Sequence, residues 1–84
     1  MTDKQELWSF IRDKFQDSLA KISFDAWINS ADLIDISQDT VTIQVQSTLH
    51  KDYWENNLTN QTVQYLYEYF GKEMTPRFVT EDEN

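Results

Sequence analysis

Few side chains in this sequence have the types and spacing that chemistry requires. His50 is the only histidine, and the chain has no cysteine that could pair with it as a nucleophile or as a metal ligand. Asp13 and Asp17, or Asp32 and Asp35, could hold a cation or act as acid and base, but on helix faces and turns such carboxylates are usually solubilising charges. We therefore predict no catalytic residue, no metal site and no cofactor.

The sequence also lacks a phosphate-binding loop. Gly71 is the only glycine, whereas Walker-type and dinucleotide-binding loops need several glycines so that the backbone can approach a phosphate. His50 falls in the first turn of a predicted helix, where a single histidine is typically a solvated surface residue. The chain is thus predicted not to be an enzyme.

The net charge argues against tight binding to nucleic acid. Fifteen acidic and seven basic side chains give a net charge of −8, and leaving out the three acidic residues at 81–83 changes it only to −5. The seven cations are scattered along the chain, while affinity for DNA comes mostly from Lys and Arg that neutralise phosphates. This balance favours a chain that binds other proteins.

Composition also indicates where the chain resides and how it is divided. The absence of cysteine fits a reducing compartment, no apolar run approaches the roughly 18 residues of a membrane span, and the first residues lack the apolar region of a secretory signal. We expect a cytoplasmic chain that contacts no membrane.

Residues 1–80 are predicted to form one domain, with a core of aromatic side chains that needs neither disulfide nor metal, and residues 81–84 are predicted to form an acidic tail.

An apolar stripe predicts an α-helix over residues 3–19. The side chains of this stripe recur at helical spacing, and we expect the stripe to continue to Ile22. Phe10 lies about 120° from the centre of the stripe. It is either a lone surface aromatic or part of a contact surface shared with the edge of Trp8. The stripe consists of Leu7, Trp8, Ile11, Phe15 and Leu19.

A second, short helix is predicted at Ser23-Phe24-Asp25-Ala26-Trp27-Ile28, with Ser23 as its N-cap. Phe24, Trp27, Ile28 and Ala31 share one face of this helix. Phe24 is assigned to the core. For Trp27 two readings stay open, because a tryptophan on so short an element is seldom fully covered: it is a core residue, or its exposed edge is a contact for a partner.

Two strands follow, at residues 33–36 and 40–46, joined by a tight hairpin at residues 37–39. Ser47 or Thr48 then caps a third helix that runs to Phe70, and Gly71 stands where a helix end favours positive φ. A stripe on this helix is predicted to face the core, with a further apolar flank that packs or stays partly open. The stripe is Trp54, Leu58, Thr62, Tyr65, Leu66 and Tyr69, and the flank is Val63, Tyr67 and Phe70.

A last strand over residues 75–80 completes the predicted fold. Pro76 implies an edge position for this strand, because proline cannot donate to a sheet ladder. The predicted class is α+β, with the order α-α-β-β-α-β and helices packed on a three-stranded sheet.

Collinear motifs along the chain resemble the N-terminal domain, domain I, of the bacterial replication initiator DnaA. The resemblance implies a compact KH-like fold of the same element order. It covers nearly the whole chain and rests on the set of motifs at matching spacing rather than on any single one. The motifs are the Leu7-Trp8 helix, Ser23-Phe24-x-x-Trp27-Ile28, the strand Asp39-Thr40-Val41-Thr42-Ile43, and Asp52-Tyr53-Trp54-Glu55 leading to Gly71 and Arg77-Phe78-Val79.

The resemblance implies a protein interaction module of replication initiation. Such domains help initiators to associate weakly at the origin and recruit the replicative helicase, its loader or regulatory proteins. The ATPase and the DNA-binding helix-turn-helix of a complete initiator are absent from these residues, so the chain is interpreted as a fragment or a free-standing relative. The acidic tail would then begin a flexible linker.

The resemblance also assigns site residues. Trp8 matches the tryptophan that supports self-association in relatives, and Phe10 would enlarge that surface. Ser23, Ala26 and Trp27 match a partner-binding surface on the second helix. Its other half in relatives is a Pro-Asn-x-Phe start of the third helix, whereas here Gln46-Ser47-Thr48-Leu49 leaves Ser47 and Leu49 in those roles. Losing the aromatic ring removes contact worth about 1–2 kcal/mol, so the partner can differ.

Two other functions remain open from the sequence. A KH-like nucleic-acid module would bind single strands with steep salt dependence, but the glycine-rich clamp of true KH domains is absent, so at most weak single-stranded DNA binding is expected. A free-standing acidic decoy would mimic DNA or compete with a full initiator. Genomic context separates the decoy from a fragment, because only a fragment continues into an ATPase.

Overall fold

Residues 3–81 fold as three helical segments and three strands in the order α-α-β-β-α-β. The structure is a computed structural model that describes residues 3–81. The elements are α1 Lys4–Ser18, α2 Lys21–Ser23 with a π-helical turn Phe24–Ile28, β1 Asp32–Ile36, β2 Thr40–Val45, α3 Thr48–Tyr53 with a π-helical turn Trp54–Leu58, α4 Thr59–Phe70 and β3 Thr75–Thr80. We call the two π-helical turns the wide turns. The second helix is α2 with its wide turn, and the third helix is α3 with its wide turn and α4.

The sheet has the strand order β1-β2-β3. β1 and β2 form an antiparallel hairpin, closed by the Ser37 amide, which donates to the Thr40 carbonyl at 2.7 Å, and a bulge interrupts β1 between Leu33 and Asp35. β3 pairs with β2 in parallel and lies at the edge, as Pro76 predicts. The α+β class and the three-stranded sheet are confirmed.

Helix ends follow the predicted caps with one exception. The Ser47 hydroxyl accepts from the His50 amide, and Gly71 adopts φ +74° while its amide donates to the Tyr67 carbonyl at 2.8 Å. The prediction of Ser23 as an N-cap is wrong. Ser23 already has helical backbone angles, because the helix begins at Lys21 after an extended Ala20, and the side chain makes no capping bond.

The core lies between the helices and one face of the sheet, around the fully buried Trp54 ring. Trp8, Phe15 and Phe78 surround this ring with centroid distances of 6.4, 5.5 and 5.3 Å. The predicted stripe of the third helix is buried except for Tyr69, which is half-buried, and Phe24 is a core residue as predicted.

The stripe of α1 ends earlier than the sequence predicts. Leu19 and Ala20 have extended backbone, so the helical period stops and Ile22 points to solvent with 84% of its surface exposed. The expected continuation of the stripe to Ile22 is therefore wrong. Burying Ile22 would have required an unbroken helix.

The structure does not test the predicted division into a domain and an acidic tail. Glu81 is exposed, and residues 82–84 of the predicted tail lie outside the described residues. Within residues 3–81, no helix is long and apolar enough to cross a bilayer.

Candidate protein interaction surface

The Trp27 ring lies where the second helix meets the third. It stacks on the Tyr53 ring with centroids 3.9 Å apart and planes 5° from parallel. The His50 ring meets Trp27 edge-on at a centroid distance of 4.9 Å. Trp27 is half-buried. Contacts within the chain therefore fix the ring while part of it stays accessible, and a partner contact at its exposed edge stays a prediction.

Side chains of the third helix bind the last carbonyls of the second helix. The carbonyls of a final helical turn have no amide partner within the helix. His50 Nε2 is 3.1 Å from the Ala26 carbonyl oxygen, and the Trp54 indole N–H donates to the Trp27 carbonyl at 3.1 Å. These bonds join residues 24 and 27 positions apart, so they fix the two helices against each other.

Both wide turns lie at this junction. In the turn Phe24–Ile28 the Asn29 amide donates to the Phe24 carbonyl at 3.2 Å, five residues back. In the turn Trp54–Leu58 the Thr59 hydroxyl lies 3.0 Å from the Trp54 carbonyl and 2.9 Å from the Glu55 carbonyl. π-helical turns occur frequently at functional sites. Here the bond from Trp54 to Trp27 connects one turn to the other.

His50 is not the solvated surface residue that the sequence suggests. It is half-buried, and both ring nitrogens have partners. The Ala26 carbonyl can only accept, so Nε2 carries the hydrogen of that bond. In the neutral ring, Nδ1 then accepts from the Ser47 hydroxyl at 2.9 Å. The prediction was wrong because Ala26 and Trp27, which are distant in sequence, contact the ring.

Exposed apolar side chains lie on both of the helices that meet at the Trp27 ring. Leu49 is 67% exposed and precedes His50, while Ile22 lies one helical turn before the exposed Ala26. Ser23, which lies between Ile22 and Ala26 in the sequence, is half-buried. We call Ile22, Ser23, Ala26, Trp27, Ser47 and Leu49 the Trp27 surface. Sequence reasoning missed Ile22 in this role; its position beyond the end of α1, in the first turn of the second helix, is the signal that could have found it.

The structure does not unite the predicted self-association residues in one patch. Trp8 is only 8% exposed because its ring packs on Trp54, so little of its edge is left for the contact surface that Phe10 is predicted to share with it. Trp8 also lines a groove between α1 and β1, together with Lys4 and Ile34. Phe10 instead packs on Tyr69, at a centroid distance of 5.2 Å.

Arg12 and Asp25 are connected through the side chain of Asn29. Arg12 donates to the Asn29 side-chain oxygen at 2.6 Å, and the Asn29 amide group donates to Asp25 at 2.7 Å, which ties α1 to the second helix.

Burial raises the pKa of the Tyr69 phenol, and the nearby carboxylates of Glu6 and Asp3 raise it further. Within residues 3–81, no three His, Asp or Glu side chains come together as metal ligands would.

Comparison with known proteins identifies what the chain is similar to. The sequence model of the DnaA N-terminal domain matches residues 5–68. Chromosomal replication initiator proteins DnaA of Latilactobacillus sakei, Lacticaseibacillus casei and Enterococcus faecalis are 43%, 36% and 34% identical over 99–100% of this chain. The chain spans 18–19% of the length of these relatives.

Proposed function

The chain belongs to the DnaA N-terminal domain family, and on that basis we propose that it is a protein interaction module of a replication initiator. It binds the replicative helicase, the helicase loader or a regulatory protein through the Trp27 surface, and it supports self-association of initiators at the origin. It acts in the cytoplasm and has no catalytic activity of its own.

One observation carries the proposal: Ile22 on the second helix and Leu49 on the third helix are largely exposed apolar side chains, and the Trp27 ring where these helices meet is already fixed. Binding hot spots are enriched in tryptophan, tyrosine and arginine, and a side chain that is already ordered loses little conformational entropy on association. Trp27 meets that condition, because Tyr53 and His50 hold its ring. A partner can therefore bury Leu49 and Ile22 while the surface keeps its shape.

The size of this surface implies modest affinity for a single copy. Full burial of a leucine or isoleucine side chain contributes about 1.5–3 kcal/mol, and association itself costs several kcal/mol. Modest affinity suits an initiator that acts in many copies, because partners that bind several copies at once gain from their high effective concentration.

Self-association is part of the same proposal. Trp8 packs in the core, so its substitution would lower stability and obscure any effect on self-association. Phe10 is the better residue through which to look for a contact between copies, since it is only half-buried.

The test uses the purified helicase, loader and regulatory proteins of the organism that encodes the chain. We expect Leu49→Ala and Ile22→Ala each to weaken binding by about 1–1.5 kcal/mol, close to tenfold in Kd, without lowering stability, because both side chains are exposed in the free chain. Tyr67→Ala is the matched control, since Tyr67 is 57% exposed on α4, away from the Trp27 surface. Equal losses for Tyr67→Ala and Leu49→Ala would show that the Trp27 surface is not the binding site.

A further inference from the structure

We propose that His50 is a positioning residue of the Trp27 surface: its Nε2–H bond to the Ala26 carbonyl holds the second helix in the arrangement that a partner recognises. The proposal rests on the function proposed above. It assigns a role to the only histidine of the chain, which that function leaves unexplained.

The second helix needs support from outside. It has eight residues, from Lys21 to Ile28, whereas helices shorter than about 12–15 residues are marginal on their own in water. Neither Ala20 nor Ser23 makes a side-chain capping bond at its start. Its conformation therefore depends on contacts with the rest of the chain, and at its C-terminal end these contacts come from the third helix.

Bonds to consecutive carbonyls fix both the distance and the rotation of the second helix. Consecutive residues of a helix are separated by about 100° around its axis. Trp54 binds the carbonyl of Trp27 from the core side, and His50 binds the carbonyl of Ala26 from the more exposed side. Phe24 and Ile28 pack in the core and hold one face of the second helix. The Trp54 and His50 bonds attach its last turn to the third helix at two successive carbonyls.

His50 is itself held in place, so it can transmit a position. Its Nδ1 lies 2.9 Å from the hydroxyl of Ser47, the residue that caps the third helix, and its ring edge contacts Trp27. A continuous series of contacts thus runs from the cap of the third helix through His50 to Ala26 and Trp27. A partner that touches Trp27 and Leu49 together senses the relative placement of the two helices.

Two conservative substitutions at position 50 test the Nε2 and Nδ1 hydrogen bonds of the imidazole separately. Glutamine at position 50 keeps an N–H donor at the reach of Nε2, while asparagine keeps a polar atom at the reach of Nδ1 but cannot extend to the Ala26 carbonyl. We expect His50→Gln to stay within about twofold of the parent Kd and His50→Asn to bind about tenfold more weakly. Leu49→Ala is the control that removes a contact and leaves the bond in place.

A second readout needs no partner and distinguishes positioning from general destabilisation. The parallel stack of Trp27 on Tyr53 produces NMR contacts between the rings and ring-current shifts of the Tyr53 protons. We expect these signals to persist in His50→Gln and Leu49→Ala and to weaken in His50→Asn, while urea unfolding shows all variants folded.

The outcomes separate this proposal from the function it rests on. Unchanged Tyr53 shifts in His50→Asn would overturn the positioning role, whatever binds. Equal loss of affinity in His50→Gln and His50→Asn would overturn the assignment to the Nε2 bond. If the parent chain bound none of the three proteins, the proposed function would fail, yet loss of the ring signals in His50→Asn alone would still support the positioning role.

Discussion

Replacing Trp54 by phenylalanine tests whether the bond between the two wide turns stabilises the fold. Phenylalanine keeps an aromatic ring against Phe15 and Phe78 but removes the indole N–H that donates to the Trp27 carbonyl at 3.1 Å. The carbonyl is then left without this donor at the junction of the helices. The variant therefore combines the loss of one bond with the loss of part of a buried ring.

The two effects have different sizes. A buried acceptor that loses its donor costs about 1–3 kcal/mol, and we take the lower part of that range because this bond is only partly buried. The smaller ring leaves a void that costs about 1 kcal/mol. We expect a total near 2–3 kcal/mol. A domain of 84 residues has a free energy of unfolding of about 4–13 kcal/mol, so the variant still folds.

Trp8→Phe is the matched control, because it removes the same atoms from a ring that packs on Trp54. Urea unfolding followed by far-UV circular dichroism gives the free energies, and unchanged slopes show that the two variants unfold to comparable states. We expect Trp54→Phe to cost about 1–2 kcal/mol more than Trp8→Phe. Equal costs would refute the reasoning that the bond between Trp54 and Trp27 adds stability.

Two further predictions concern a helix end and a titrating group. Gly71→Ala should lower the free energy of unfolding by about 1–2 kcal/mol in urea, and Gly71→Asn should lower it less. A Cβ at this position meets no atom within 4 Å, so the cost comes only from the strain of φ +74°. An alanine variant as stable as the parent chain would contradict this reasoning. In an NMR titration, Tyr69 should titrate above its ordinary pKa of 10.0. The stability that this raised pKa adds to the folded chain is present below pH 10 and is lost as the pH rises through the folded pKa. Glu6→Gln should lower this pKa in part, because burial is the larger cause; an unchanged pKa would refute the role of Glu6.

Local signals predicted most of the fold. The apolar stripe of α1, the alternation in β2, the cap at Ser47 and the glycine at position 71 each act over a few residues, and the structure bears out all of them. The failures occur where the chain changes direction between α1 and the second helix. Ile22 and Ser23 fit a helical pattern, but the extended backbone of Leu19 and Ala20 starts a new helix with a different exposed face.

The candidate site was only half predictable for a related reason. Trp27 could be chosen from the sequence because a large aromatic residue on a short helix is a local feature, and the family resemblance assigned Leu49. The stack on Tyr53 and the bond from His50 to Ala26 join residues more than twenty positions apart, so only the packed chain shows them. The burial of Trp8 is likewise decided by Trp54.

The most direct test of the central claim is an NMR titration of the 15N-labelled chain with the purified helicase, loader or regulatory protein. The claim is that partners dock on the Trp27 surface. It predicts that the largest amide shift changes fall at Ile22, Ala26 and Leu49. Changes centred on Phe10 and Tyr67, or no change with any of the three proteins, would contradict it.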